Sequence, residues 1–265
     1  MLHSIYKHLP PGHPWGQSIL YLDTIDSTNT YAKTLAENGA PHGTVVIARE
    51  QTGGRGRRGR SFSSPAGMGL YLSLLLRPKC APDALMHLTC ATGVAASDAV
   101  FAASGIRPNI KWTNDLVLGK QKLGGILTEL SLDSRGKIDY AIVGIGINCM
   151  QGLQDFPTEI RQIATSLTLA TGKAPDMAVL AAALIDALYH MSEGLLTDKA
   201  SVMDTFRQRC ITLGQEISIL RGEQITHATA ESVDDDGGLV VVYSDGGRGT
   251  ITSGEVSIRG MYGYL

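Results

Sequence analysis

The sequence has few of the residues that cross-link small domains or bind metals. Its four cysteines (Cys80, Cys90, Cys149 and Cys210) lie far apart without a CxxC pair, and its seven histidines show no metal-ligand spacing. A disulfide framework and a metal site are both disfavoured, so the thiols are expected to be reduced in a cytoplasmic chain. The GxxxxGK(S/T), HExxH and GxSxG motifs are missing too, which disfavours phosphate-loop, metalloprotease and serine-hydrolase functions.

Long hydrophobic runs are also scarce. The first segment, MLHSIYKHLPPGHPWGQ, holds no continuous apolar stretch, so no secretory signal is expected. The apolar segment VLAAALIDALYHM is interrupted by Asp186; it falls short of the roughly 20 residues that cross a bilayer and predicts a core helix. Hydrophobic residues make up 43% of 265 positions at a formal charge of −2, which excludes a disordered tail or a wholly basic nucleic-acid coat. We expect a globular protein of one or two domains without a membrane partner.

Positive charge is scarce at the end of the chain. Residues 213–265 carry a formal charge of −5, so residues 1–212 carry +3. The acidic segment contains short alternating runs divided by DDDGG and SDGG turns, which predicts a small all-β module. We therefore expect a larger domain over residues 1–212 and a C-terminal β domain over residues 213–265. The small domain is expected to dock on the large one, because about fifty residues fold alone only marginally.

Strand and helix patterns alternate within the larger domain. Strands are predicted for SILYL (18–22), TVVIA (44–48) and GLYLSLLL (69–76), and then for NIKW, DLVL, KLGGILTEL and DYAIVGIGIN, which read as neighbours joined by hairpins. Helices are predicted after SILYL, over residues 84–104 and within residues 160–209, where Asp176 is a candidate N-cap.

The segment REQTGGRGRRGRSFSSPAGM (residues 49–68, the Arg loop) has no hydrophobic periodicity. Connections of this length inside a compact domain are usually functional or disordered, and we interpret it as a mobile lid over a ligand. Its glycines spell GxGxxG, but no helical pattern follows, so a dinucleotide fingerprint is rejected. Its guanidinium groups suit phosphate or carboxylate oxygens, although charge alone fits a solvated basic loop or a nucleic-acid contact equally well.

A second segment, KWTNDLVLGKQKLGGILTEL, places four polar side chains at predicted strand ends beside glycines: Lys111, Asn114, Asp115 and Lys122. Polar residues so placed often face a cleft. A surface turn at Asn114 and Asp115 fits the spacing nearly as well.

Five motifs, in one order, resemble those of the biotin protein ligases, enzymes that attach biotin to carboxyl-carrier domains. They are DSTN (26–29), GRGRRGR (54–60), KWTNDL (111–116), KLGGILTE (122–129) and VGIGIN (143–148). The resemblance covers about residues 18–260. Three departures are Thr113 where the family usually has Pro, Phe62 where Trp is common, and Gly125 where Ala or Ser also occur. None of them removes a charged or amide group.

The resemblance implies an α+β fold with a mixed, largely antiparallel sheet and helices, as in class II aminoacyl-tRNA synthetases and biotin synthetases, followed by a small SH3-like β-barrel. It implies ATP-dependent formation of biotinyl-5'-AMP with Mg²⁺, and transfer of biotin to a lysine of a biotin carboxyl carrier protein. Both steps build negative charge on oxygen, so they need fixed positive charge and a site closed to water. Only about 17 residues precede the first predicted strand. We therefore expect a monofunctional monomer or homodimer that does not bind DNA.

The same resemblance implies the site residues. The candidate catalytic residues are Lys122, Asp115 and Arg57: Lys122 would contact the biotin carboxylate and the reacting phosphate, Arg57 would close over the ligand, and Asp115 would orient or deprotonate the incoming lysine. The residues expected to bind biotin are Ser27, Thr28, Asn29, Gln51, Arg55, Gly56, Arg57, Lys122 and Gly124. The residues expected to bind ATP are Arg55, Arg57, Arg58, Trp112, Asn114, Lys122 and Asn148.

Two rival functions stay open at this point. A lipoate or octanoate ligase of the same general architecture would also use a lysine and adenylate chemistry, but typically lacks the GRGRRGR lid. A nucleic-acid-binding module using the Arg loop would need no ATP, and its binding would weaken steeply with salt.

Overall fold

Two β-sheets organise the chain, and the computed structural model describes residues 1–221, 224–252 and 255–258. The strands of the central sheet are β1 Ile19–Ile25, β2 Thr44–Gln51, β3 Gly69–Leu76, β4 Asn109–Lys111, β5 Asp115–Leu118, β6 Gln121–Leu132 and β7 Ile138–Asn148. The helices are α1 Leu2–His8, α2 Thr28–Glu37, α3 Leu88–Ser104, α4 Leu167–Thr171, α5 Met177–Gly194 and α6 Lys199–Arg209. The strands of the C-terminal sheet are β8 Glu216–Arg221, β9 Gln224–Val233, β10 Leu239–Tyr243, β11 Arg248–Ile251 and β12 Glu255–Ile258.

The central sheet has the order β1-β2-β3-β7-β6-β5-β4. Its β1 and β2 are parallel, and the other neighbouring pairs are antiparallel. Strand β3, which lies between β2 and β7, is buried along its whole length, as its continuous apolar run predicts. The mixed, largely antiparallel sheet is therefore confirmed, and so are the hairpins from β4 to β7.

Helices cover both faces of the central sheet because its strands alternate two sets of apolar side chains. Val46 and Leu75 face α2, whose Ala32 and Ala36 complete a small buried cluster on that side. Val45 and Leu74 belong to the main core on the opposite face, which includes side chains of α3 and α5. Successive side chains of a strand point to opposite faces, so a single apolar run supplies both clusters.

Helix α3 is a long and strongly apolar element of the fold. Together with the turn before it, the segment Pro82–Ser104 is long and apolar enough to cross a membrane, but 72% of its apolar window is buried inside the protein. Its Gly93 lies so close to β4 and β6 that an added Cβ would contact Ile110 at 3.3 Å. We conclude that α3 is a core helix held close to the sheet by small residues.

Two stretches differ from the sequence-based expectation. Helix α1 was not predicted, because LHSIYKH is too short to show a helical period; it forms by burying Ile5 completely in the main core beside α5. Conversely, residues 160–166 lie in a segment that was expected to be helical, but they form turns and extended chain before α4. There, Lys122 binds Ile163 and Thr165 through backbone hydrogen bonds of 2.7 and 2.9 Å, which replace helical pairing.

The C-terminal sheet, of order β11-β10-β9-β8-β12, packs against the larger domain through the turn between β9 and β10. The Trp112 indole Nε1 donates to Gly237 O at 2.8 Å. Lys199 Nζ lies 2.5 Å from Asp236 Oδ1, and the Arg207 guanidinium pairs with Asp235. The acidic turn DDDGG thus contacts the larger domain, and the boundary after residue 212 stays a prediction.

Candidate active site

A narrow cavity of about 60 Å³ lies where the N-terminus of α2, the Arg loop and strands β5 to β7 meet. Nine of the residues expected from the sequence line it: Ser27, Thr28, Asn29, Gln51, Arg55, Gly56, Arg57, Asn114 and Lys122. Ligand pockets usually measure about 300–1,000 Å³. Entry of a small molecule therefore requires the Arg loop to withdraw.

One end of the cavity is a neutral hydrogen-bonded corner at the start of α2. The backbone N–H and the hydroxyl of Thr28 both donate to Gln51 Oε1, at 2.9 and 3.0 Å. The Ser73 hydroxyl donates to Asn29 Oδ1 at 2.6 Å, and Gln51 Nε2 donates to Ser64 Oγ at 2.8 Å. Because these groups are buried and mutually bonded, their donors and acceptors are held in place to read an uncharged polar ligand.

A carboxylate in β6 holds the Arg loop over this corner. Glu129 accepts two hydrogen bonds from the Arg55 guanidinium, at 3.0 and 3.3 Å, and one from Asn29 Nδ2 at 2.9 Å. Glu129 is not among the site residues expected from the sequence. An acidic side chain within the apolar run of a central strand is the signal that could have found it, since such a charge needs a partner.

The opposite end of the cavity is cationic. Lys122 Nζ lies 2.7 Å from Asp115 Oδ1, and the lysine backbone is fixed by Ile163 and Thr165 on its other side. Arg57 Nη1 donates to Asn114 Oδ1 at 2.9 Å. The predicted catalytic residues Lys122, Asp115 and Arg57 are thus brought together, with Asp115 reaching the cavity through its pair with Lys122.

Two glycines of β7 leave room for these side chains. A Cβ on Gly144 would lie 2.0 Å from Asn29 Oδ1, and a Cβ on Gly146 would lie 2.5 Å from the Phe62 ring. Phe62 belongs to the Arg loop and contacts Tyr71 edge to face, with centroids 6.4 Å apart. The two glycines therefore allow both the polar corner and the loop to approach the sheet.

Tyr71 anchors the far end of the Arg loop. Its hydroxyl donates to Pro65 O at 3.0 Å, and its side chain is fully buried in β3. Burial raises the pKa of Tyr71 well above its ordinary value. The hydroxyl consequently stays protonated and keeps donating to the loop at physiological pH.

Besides Asp115, four expected site residues lie outside this cavity. Gly124 faces Gly146 O, where a Cβ would be 2.4 Å away, and its neighbour Gly125 lines the cavity instead. Arg58 is an exposed loop residue with a positive φ of 57°. The Asn148 amide donates to Thr165 O at 3.0 Å, and Trp112 bonds the C-terminal sheet. Their contacts in this structure are to protein, so their roles toward a nucleotide stay predictions.

The chain matches two family descriptions, one for each part of the fold. Residues 21–148 match the Biotin/lipoate A/B protein ligase family, and residues 212–259 match the Biotin protein ligase C terminal domain. The first match runs from β1 to the end of β7 and contains the cavity; the second contains the C-terminal sheet. Fold and site together define a protein ligase of the biotin/lipoate class.

Individual relatives narrow this class. The chain is 35% identical over 241 residues to the biotin–[acetyl-CoA-carboxylase] ligase of Paracoccus denitrificans, covering 89% of this chain and 98% of that protein. Its structure resembles that of the Aquifex aeolicus biotin protein ligase in complex with biotin and ATP, with a TM-score of 0.77, 31% identity, and coverage of 92% and 99% of the two chains. It is 44% identical over 163 residues to the bifunctional ligase/repressor BirA of Bacillus spizizenii, and this match spans 62% of this chain but only 50% of the relative. The chain belongs to the biotin protein ligase family.

Proposed function

We propose that the chain activates biotin with ATP to form biotinyl-5'-AMP and transfers the biotinyl group to a lysine of a biotin carboxyl carrier domain. One observation carries this proposal: a single cavity joins a neutral hydrogen-bonding corner to an end lined by Arg57 and Lys122. Biotin combines an uncharged ureido ring with a carboxylate, so its two ends match the two ends of the cavity. The names of the Paracoccus and Aquifex relatives support the same substrates.

Separate tasks are proposed for the two ends. Thr28 and its neighbours at the start of α2 bind the ureido ring, close to the positive end of the helix dipole. Lys122 and Arg57 neutralise the biotin carboxylate and the α-phosphate as charge develops on the oxygens. Asp115, held 2.7 Å from Lys122, is positioned to orient the incoming amine.

Magnesium enters this scheme with the nucleotide. Among the described residues, no group of three His, Cys, Asp or Glu side chains is arranged to hold a metal ion. Mg²⁺ usually keeps most of its waters and binds substrate phosphates with one or two carboxylates. We therefore expect MgATP to be the substrate.

Charge and cysteine chemistry bear on DNA binding and on the cellular compartment. The formal charge of −5 over residues 213–265 disfavours binding of the C-terminal domain to DNA. Burial raises the pKa of Cys90 and Cys149 to about 12, so these thiols are unreactive, as suits a reduced, cytoplasmic protein. The chain is proposed to act as a monomer or homodimer.

The test is ATP–pyrophosphate exchange with the purified protein. We expect biotin, and not lipoate, to support exchange, and the Lys122→Ala variant to lose about 100-fold in rate because one charge-stabilising group is removed. Lys120→Ala, an exposed lysine of the same hairpin, is the matched control and should leave the rate unchanged. Exchange driven by lipoate alone would support the rival ligase, and near-normal exchange by Lys122→Ala would remove that lysine from the site.

A further inference from the structure

A second cavity, of about 260 Å³, lies directly beside the first, and Arg57 and Ile126 line both. Its other walls come from both parts of the chain: Met86, Thr89, Thr113 and Thr128 from the larger domain, and Asp236, Gly237, Gly238 and Thr252 from the C-terminal domain. We call it the interdomain cavity. It adjoins the site where the activated biotin is expected, and none of the predicted biotin contacts except Arg57 lines it.

The lining of the interdomain cavity is mostly neutral along its length. Thr89 Oγ1 and Thr128 Oγ1 are hydrogen-bonded to each other at 2.6 Å, and Thr113 Oγ1 lies 3.4 Å from Cys90 Sγ. Met86, half exposed, adds apolar surface at the rim. The hydroxyls of these three threonines are thus engaged with protein partners, and the described lining residues between Arg57 and Asp236 carry no charge.

The charges of the interdomain cavity lie at its two ends. Arg57 stands at the inner end, shared with the first cavity. Asp236 stands at the outer end, where its side chain is 60% exposed and lies 2.5 Å from Lys199 Nζ. A side chain that enters at this end meets the Asp236–Lys199 ion pair first, followed by lining residues without charge as far as Arg57.

We propose that the interdomain cavity is the access channel for the acceptor lysine of the carrier domain, an inference that rests on the proposed function. A lysine side chain is a narrow chain of four methylenes that ends in one amino group, and the uncharged walls between Asp236 and Arg57 do not oppose its passage. The Arg55–Glu129 pair holds the Arg loop over the first cavity, so an amine needs another path to a shielded adenylate.

The transfer step balances without a further reactant. The lysine ammonium first gives one proton to water, and the neutral nitrogen then attacks the acyl carbon of biotinyl-5'-AMP, so that a C–N amide bond forms. The bond from that carbon to the phosphate oxygen breaks, AMP leaves with its electron pair, and a second proton lost by the nitrogen goes to water. The leaving pyrophosphate of the first step suits this cavity less well, because among its described lining residues Asp236 opposes the single cation, Arg57.

Two pairs of variants test the channel. Thr89→Leu adds bulk to the wall, while Thr89→Val removes the same hydroxyl without adding bulk. Asp236→Asn removes the charge at the mouth, while Asp235→Asn removes a neighbouring carboxylate that pairs with Arg207 and does not line the cavity. For each full-length variant, biotin-dependent ATP–pyrophosphate exchange reports the first step. Single-turnover reaction of preformed adenylate with a carrier domain, or with hydroxylamine as a small nucleophile, reports the second.

We expect Thr89→Leu to slow transfer to the carrier at least tenfold, while exchange and the reaction with hydroxylamine stay within about twofold of the parent protein. Asp236→Asn should lower kcat/KM for the carrier about threefold, with the effect lost at high salt, and Asp235→Asn should not. Equal loss of exchange and transfer in Thr89→Leu would assign the cavity to pyrophosphate or to folding and overturn the proposal. Unchanged transfer would overturn it as well. Absence of exchange and transfer in the parent protein would instead refute the proposed function.

Discussion

Replacement of Gly146 by alanine tests how the Arg loop closes on the sheet. The added Cβ would lie 2.5, 2.7 and 3.0 Å from three atoms of the Phe62 ring, whereas ordinary contacts begin at 3.4 Å. The ring must therefore retreat by about 0.9 Å at its nearest atom. Because Phe62 belongs to the loop, we expect the loop to be displaced and the sheet to stay intact.

The magnitude follows from the cost of overpacking. Forcing a side chain out of a filled space costs about 1–2 kcal/mol, which corresponds to about a 5- to 30-fold rise in Kd. We expect isothermal titration calorimetry of Gly146→Ala with biotin to show a loss in this range, with only a small fall in Tm. Gly124→Ala is the contrasting variant, since its Cβ would lie 2.4 Å from the backbone oxygen of Gly146. Paired strand backbone cannot move aside as easily as a side chain, so Gly124→Ala should lower Tm more than Gly146→Ala does.

A double-mutant cycle decides whether Phe62 is the cause. With Phe62→Ala in the background, the ring that the new Cβ meets is gone, and Gly146→Ala should cost almost nothing further in biotin affinity. If Gly146→Ala costs the same in both backgrounds, the loop does not close through this contact. An unchanged biotin affinity in the single variant would refute the reasoning outright.

Two further predictions concern the Arg55–Glu129 pair that holds the Arg loop and the effect of pH on stability. Glu129→Gln weakens the partly exposed pair with Arg55 by up to about 1 kcal/mol, so biotinyl-5'-AMP should dissociate up to about fivefold faster in a quenched-flow release assay. Glu50→Gln is the control, because the Glu50 carboxylate accepts from Thr24. Equal release rates for Glu129→Gln and the parent protein would show that the pair does not hold the Arg loop. Burial lowers the pKa of His87, so the unfolded chain takes up a proton below about pH 6.5 that the folded protein resists. The free energy of unfolding should then decrease as the pH is lowered, by at most about 1.4 kcal/mol per pH unit for such a histidine. A Tm that does not decrease from pH 7.5 to 5.5 would contradict this.

Local patterns predicted much of the fold. The apolar run GLYLSLLL coincides with β3, and Asp176 caps α5 by accepting from the backbone of Ala178 and Val179. Both signals lie within a few residues of chain, so they do not depend on the rest of the molecule. Helix α1 escaped prediction for the opposite reason, since its burial against α5 comes from distant residues.

The candidate site was predictable to the extent that chemistry lay in contiguous motifs. The residue types expected around an anion and a polar ring are present in DSTN, GRGRRGR and KLGGILTE, and the fold brings most of them to one cavity. The placement of Trp112 and Asn148 was not predictable, because the sequence does not say which neighbour takes their hydrogen bonds. Trp112 bonds Gly237, which depends on how the domains dock, and Asn148 bonds Thr165, which depends on the path of the chain between β7 and α4.

The amino-acid order alone determined the alternation of strands and helices, the position of the Arg loop and the chemical character of each motif. Only the tertiary structure decided that Glu129 joins Arg55, 74 positions away, and Asn29, 100 positions away. It likewise decided that an acidic turn of the C-terminal domain meets the mouth of a second cavity. Such pairings are set by the order of strands in the sheet and by the docking of one sheet beside another, and these are properties of the folded chain as a whole.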